Sequence, residues 1–294
     1  LRLLDCDGIE PDVADVMVGV TPLWWVSYNG LPDAALRLLS LGVDVNAQHS
    51  SMGTTSFYWA CAKSLLCVAI ALIETDCDVG AQREDGTTPL WHACGDPRLE
   101  DVALRILAAQ ITTAQGEAII DLVDVNSGTT PLLRACANGL PKAALRLLEL
   151  GADANAVDVG GCSALRWACQ GGDKAVALRL RECGCLDDVL CGQTALRKGT
   201  GRERTARCVE LLQHGREGRG DAVIDTLVAI GAAPERLLLA AATLGSAPLA
   251  RRCLFHGARG TAPVDGDGRV ARAVGAQAVD AIDASFFAQL GAFL

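Results

Sequence analysis

Gly86-Thr87-Thr88-Pro89-Leu90 and Gly128-Thr129-Thr130-Pro131-Leu132 are one phrase written twice. Gly19-Val20-Thr21-Pro22-Leu23 and Gly53-Thr54-Thr55 come before them. Gly161-Cys162-Ser163-Ala164-Leu165 and Gly192-Gln193-Thr194-Ala195-Leu196 follow in looser wording. The glycines step by 34, 33, 42, 33 and 31 residues. A second phrase keeps the same phase: Leu38-Leu39 with Gly42-Val43-Asp44-Val45-Asn46 returns as Leu147-Leu148 with Gly151-Ala152-Asp153-Ala154-Asn155. The chain is built from an internal repeat, so its fold follows from the physics of one unit.

Thr-Pro suits the start of a helix, because the Thr hydroxyl caps free amides and Pro tolerates the first helical position. Leu23, Val26 and Ser27, then Leu90, Ala93 and Cys94, then Leu132, Ala135 and Cys136 give this short first helix a narrow face of small residues. Gly30 or Gly139 stops it. The string Ala-Leu-Arg-Leu-Leu at 35–39 and 144–148, echoed at 103–107, makes a second helix ended by Gly42 or Gly151, and Asp and Asn supply the turn to the next unit. One such pair cannot bury both of its apolar faces, so stability must come from stacking between neighbours.

A period of 33 opened by Thr-Pro-Leu resembles the ankyrin repeat family, over most of the length of this chain. The resemblance implies an all-α solenoid of stacked helix-turn-helix units with short turn or β-hairpin tips, about seven to eight units including degenerate ones. Residues 1–18 read as the end of a preceding repeat and a linker. Five clear repeats lie at 19–50, 51–83, 84–126, 127–158 and 159–189, with an insert near 111–122. Degenerate repeats with a second insert near 216–230 occupy 190–258, and 259–294 is expected to be a divergent cap. The inserts end alike, in Gly-Glu-Ala-Ile-Ile-Asp and Gly-Asp-Ala-Val-Ile-Asp, and each is expected to form a helical turn or short helix at the side of the stack. Arg2-Leu3-Leu4 and Gly8 echo Arg37-Leu38-Leu39 and Gly42, so a preceding repeat or a covering partner is expected at the start.

Composition narrows the partner. Of 294 residues 26 are basic and 35 acidic, a formal charge of −9, whereas a nucleic-acid surface needs clustered positive charge. The longest uncharged apolar run, 237–250, falls short of the ~20 residues of a membrane span. Thirteen cysteines, an odd number in a long chain, point to free thiols in a reducing compartment, and a cytoplasmic or nuclear location is expected.

Chemistry-bearing constellations are sparse. Cys61, Cys94, Cys136 and Cys169 share one column of the first helix and read as small buried hydrophobes. Cys183, Cys185 and Cys191 form the one local cluster that raises zinc or redox sensing, but the spacing is not Cys-x2-4-Cys and no histidine is close by. Gly199-Thr200-Gly201 and 215–220 lack the strand and lysine of a phosphate loop. Val264 to Gly268 resembles the middle of a calcium loop but has Pro263 and Val274 where ligands are needed. No catalytic residues, metal or cofactor are expected.

In the column where ankyrin repeats often place histidine, this chain has Trp24, Tyr58, Trp91, Leu133, Arg166 and Arg197, so the bonds such a histidine makes between neighbouring loops are absent or replaced. The tryptophans Trp24, Trp25, Trp59, Trp91 and Trp167 should form a ladder that packs between repeats or faces a partner. Arg37, Arg105, Arg146 and Arg179 should line the outer face, and 197–219 is the one basic stretch.

By resemblance the chain is a non-enzymatic scaffold or adaptor that binds a partner protein in the concave groove of turn tips and first helices. Carried onto this sequence, the tips are Val20, Thr54, Glu84, Asp85, Thr87, Thr129, Val159 and Cys162, and the first-helix ends are Tyr28, Asn29, Lys63, Asp96, Asn138 and Gln170. Glu84, Asp85 and Asp96 lead to the expectation of a partly basic partner. The alternatives are the regulatory ankyrin region of a larger enzyme, a ubiquitin-ligase substrate receptor, and a cysteine-based zinc or redox sensor.

Overall fold

The computed structural model describes residues 12–15, 19–75, 77–109, 119–185, 201–213 and 219–258. They fall in two compact units, Leu1–Cys162 and Ser163–Leu294. The expected cap at 259–294, Cys191 and most of the first insert lie outside the described residues.

In the first unit four helix pairs follow one another: α1 (Pro22–Tyr28) with α2 (Pro32–Ser40), α3 (Ser56–Ala62) with α4 (Leu66–Glu74), α5 (Pro89–Ala93) with α6 (Glu100–Ala109), and α7 (Pro131–Asn138) with α8 (Pro141–Glu149). First helices pack on first helices, α1 on α3, α3 on α5 and α5 on α7. Second helices do likewise, α2 on α4, α4 on α6 and α6 on α8. The core runs between the two rows through Leu23, Leu38, Phe57, Leu72, Leu90, Ile106, Leu132 and Leu147, all fully buried.

Each first helix opens as its sequence dictates. Thr21, Thr55, Thr88 and Thr130 sit in extended backbone and accept a hydrogen bond from the amide three residues on, at 3.4, 3.2, 3.1 and 3.3 Å. Pro22, Pro89 and Pro131 hold the first helical position. Gly139 closes α7 in the left-handed conformation. The four cysteines of the shared column, Cys61, Cys94, Cys136 and Cys169, are all buried free thiols, and burial raises the pKa of Cys94 to about 12.

The turns between pairs also repeat. The residue opening each turn donates its amide across the turn and accepts from the turn glycine: His49 with Thr54 and Gly53, Arg83 with Thr87 and Gly86, Asp124 with Thr129 and Gly128. Glycine is required at these tips on two counts. Gly86 has φ +83°, and a Cβ there would stand 2.2 Å from the Val123 carbonyl oxygen of the next turn. Side chains stitch one turn to the next, as Asp12 accepts from the Asp44 amide, Asn46 from Asp78 and Asp121 from Asp153, at 2.8, 2.7 and 2.9 Å.

The second unit repeats the two-row plan. The first row is α9 (Ala164–Gly171), α11 (Gly201–Gln213) and α13 (Pro234–Thr243), and the second is α10 (Lys174–Glu182), α12 (Gly220–Ala229) and α14 (Ala247–Phe255). This corrects the expectation for 216–230. Gly220–Ala229 is not a side insert: it packs against α10 and α14 as a second helix, with Val223, Ile224 and Leu227 buried. Of the similar stretch in the first unit, the described residues Ile119–Asp121 form a 3-10 turn, which buries Ile119 and Ile120. Both stretches bury their apolar pair, Ile119 and Ile120 in the one and Val223 and Ile224 in the other.

Candidate functional site

The first-helix row of the first unit carries a chain of rings. Trp25 meets Trp24 edge-on at 5.8 Å, Trp24 meets Trp59 at 5.9 Å, and Trp59 meets Tyr58 at 5.2 Å. Tyr58 meets His92 at 5.0 Å and His92 meets Trp91 at 5.0 Å. The Arg134 guanidinium ends the series, 3.7 Å from the Trp91 ring centre. Tyr28 stacks on Trp24 at 5.2 Å and stands edge-on to Trp59 at 4.7 Å. The ladder read from the sequence therefore runs through three repeats, with Tyr58 and His92 filling the rungs between Trp59 and Trp91, and Arg134 of the fourth repeat closes it. Trp167 belongs to the second unit and is half-buried there.

Polar ends of the buried rings lock consecutive repeats. Trp24 Nε1 donates to the Thr54 carbonyl at 3.1 Å and to its hydroxyl at 3.3 Å. Trp91 Nε1 donates to the carbonyl and hydroxyl of Thr129, both at 3.1 Å. Between them, the Tyr58 hydroxyl lies 2.7 Å from that of Thr87. In this column the bonds that histidine makes in the family are replaced, each ring reaching the Gly-Thr-Thr phrase of the following unit.

The Tyr58 link continues into a proton-ordered series. Thr87 donates its one hydroxyl proton to Asp85 at 2.5 Å, so Tyr58 must donate to Thr87, and His92 Nε2, 3.0 Å away, must donate to Tyr58. His92 is thus held as the Nε2–H tautomer. Burial, with the nearby Arg134 charge second, lowers its pKa to about 4. Burial likewise raises the Tyr58 pKa.

The proposed contact residues divide by burial. Val20, Thr54 and Thr87 are 3%, 0% and 4% exposed, so they are corrected from contact residues to supports: small side chains at the tips are covered by the rings of the preceding repeat. Thr129 and Asp85 are partly covered and serve the same bonds, and Asp85 also pairs with Arg83 at 2.8 Å. Asp96 caps a 3-10 turn (Pro97–Leu99) and is gripped by Arg98 at 2.7 Å, whose hydrogen bonds hold the carboxyl far below the usual range. The Asn138 amide donates to the Arg134 carbonyl at 2.9 Å and that of Asn29 to the Trp25 carbonyl at 2.8 Å. Tyr28, Asn29, Lys63, Glu84 and Val159 are exposed, Cys162 half-buried, and Gln170, in the second unit, half-buried. With Asp85 and Asp96 each paired to an arginine, the expectation of a basic partner loses most of its support.

Sequence reasoning passed over three exposed or half-exposed groups, Val125, Val157 and Arg134, and named Trp25 only among the ladder tryptophans. Trp25 is 50% exposed, Val125 73% and Val157 53%, the last two in the turns between repeats. Arg134 falls in the column of Trp25, Trp59 and His92, and that register was the signal available for it. A cleft of about 330 Å³ opens between the second and third turns, walled by Ser51, Met52, Asp78, Gln82 and Glu84.

Cys183 is exposed and Cys185 buried, and among the described residues no three His, Cys, Asp or Glu side chains group as metal ligands do. On the second-helix row Arg105 pairs with Asp101, Arg146 with Glu149 and Arg179 with Glu182. Among the described residues no helix is long and apolar enough to cross a membrane.

Comparison with known proteins gives one positive finding. Residues 57–158, α3 through the turn after α8, match the family model of ankyrin repeats in three copies. No curated protein matches the chain. The repeat period, the Thr-capped first helices, the two-row packing and this match agree that residues 57–158 form ankyrin repeats, a kind of repeat that serves as a protein-interaction module.

Proposed function

We propose that the chain is a non-enzymatic scaffold or adaptor that holds a partner protein on the first-helix face of its first unit. The observation that carries this reading is the uncovered end of the ring series. Trp25 at 50% and Tyr28 at 37% exposure stand together, large amphipathic rings fixed by their neighbours and by Lys63, whose ammonium is 5.4 Å from the Tyr28 ring centre and 5.8 Å from that of Trp59. Rigid aromatic residues of this kind lose little entropy on binding and anchor interfaces. The second-helix row is a poorer site, since its arginines are paired with carboxylates of their own unit.

The test compares affinity capture by the full chain with capture by Trp25→Ala/Tyr28→Ala and by Arg105→Glu/Arg146→Glu, followed by titration of the retained protein after purification. A partner whose affinity falls at least ~10-fold with the ring variant and is kept by the arginine variant supports the face. The reverse pattern moves the site to the second helices.

A further inference from the structure

On the first-helix face of the first unit Asp85 and Asp96 are neutralised within the fold, Glu84 at the tip stays exposed, and two cations are left without a carboxylate. Asp85 and Asp96 meet Arg83 and Arg98 at 2.8 and 2.7 Å. Among the described residues neither Lys63 nor Arg134 has a carboxylate within ion-pair distance, although Arg83, Arg98, Arg105 and Arg146 of the same unit all do. Both unpaired cations lie over aromatic rings instead.

Arg134 is the more telling of the two. Its guanidinium lies on Trp91 and against Gly95, and its Nε is buried without a hydrogen-bond partner. A Cβ at residue 95 would stand 1.9 Å from Arg134 Nη2, so a side chain there would push the guanidinium out of this position. Gly95 does not have a positive φ, so its lack of a side chain is not explained by backbone strain. Stacking covers the face of the guanidinium and burial closes off Nε, but the in-plane Nη donors remain, and their end-on pair matches a carboxylate. Much of the dehydration that such a pair costs has already been met in folding.

We infer that this face receives an extended acidic segment of the partner protein, one carboxylate bound by the Arg134 guanidinium and a second by the Lys63 ammonium. The inference rests on the reading of the face given under Proposed function. The two cations belong to α7 and α3, two helix spacings of ~8–10 Å apart, so in a strand rising ~3.3 Å per residue the carboxylates are about five or six residues apart. Trp59 and His92 lie between, which favours apolar residues in the middle of the segment.

The probe is a phage-displayed library of random dodecapeptides selected on the full chain, with the selected peptides then synthesised and titrated. The expected peptides carry Asp or Glu at two positions about five or six residues apart, and bind more weakly as salt is raised. Arg134→Gln weakens them at least ~10-fold and Lys63→Gln about 3-fold. Gly95→Ala, which displaces the guanidinium without removing it, reproduces most of the Arg134→Gln loss. Arg134→Lys keeps the charge and still binds less tightly, because the planar stack is gone. Circular dichroism verifies folding of each variant, and Lys63, being exposed, gives a variant that cannot fail for lack of a core.

Peptides without acidic enrichment, or a library that yields no binder, overturn the inference. Peptides lost with Trp25→Ala/Tyr28→Ala but indifferent to Arg134→Gln and Lys63→Gln overturn the acidic segment and leave the face standing. Indifference to all of these variants overturns both.

Discussion

His92 is held neutral between Tyr58 and Arg134, and its proton is placed by a hydrogen-bond series that ends on Asp85. Its folded pKa of about 4 lies below the ordinary 6.5, so the unfolded chain binds the proton more readily. The contribution is complete above pH 6.5, declines as the pH falls towards 4 and is gone below it, worth up to about 3 kcal/mol. Urea denaturation of His92→Gln, which keeps a donor to Tyr58, should show a shallower loss of stability across that window than the parent. Ser27 occupies the column filled by cysteine in the next four repeats, and its buried hydroxyl has no hydrogen-bond partner among the described residues. Ser27→Cys should therefore stabilise by about 1 kcal/mol, read as a raised denaturation midpoint with unchanged slope. That column was legible in the sequence because a buried position between close helices admits only small side chains. The His92 tautomer was not legible, since it depends on Tyr58, which reaches Thr87 and His92 only after two repeats stack.

Among the elements, the turn phrase does more than punctuate. Gly86 combines φ +83° with a 2.2 Å approach to a backbone oxygen, whereas Gly30, φ +69°, has open space where a Cβ would be. Gly86→Ala should cost several kcal/mol and Gly30→Ala about 1 kcal/mol, because only the first must also push two turns apart. Chemical denaturation of the two variants measures the difference. Thr54 accepts from both Trp24 and Trp59, so Thr54→Val should cost about 1–3 kcal/mol, although its methyls fill the same space. The caps, the paired helices and the 33-residue period were readable because each follows from local chemistry repeated in phase. The role of 220–229 was misread because an apolar Gly-Asp-Ala-Val-Ile-Asp string forms a helix or a turn according to the neighbours available, here α10 and α14. The contact residues were half legible: Thr54 and Thr87 hold tip positions, but indole and phenol rings cover them.

For the molecule as a whole, thiol chemistry reports burial. Among the described cysteines Cys67 and Cys183 are exposed, while Cys61, Cys94, Cys136 and Cys169 are buried, and desolvation raises the pKa of Cys61 and Cys94. Alkylation of the native chain followed by peptide mapping should modify Cys67 and Cys183 well before those four. At the same scale, a net charge of −9 sets the chain against polyanions, yet Lys63 and Arg134 make one face locally receptive to carboxylates. The central claim is that partners are bound by the first-helix row of the first unit. Hydrogen–deuterium exchange of the full chain, with and without the captured and repurified partner, tests it most directly. Protection should concentrate at 25–29, 59–64 and 92–98 and at 134–139, the ends of α1, α3, α5 and α7. Protection confined to α2, α4, α6 and α8, with those segments unchanged, would contradict it.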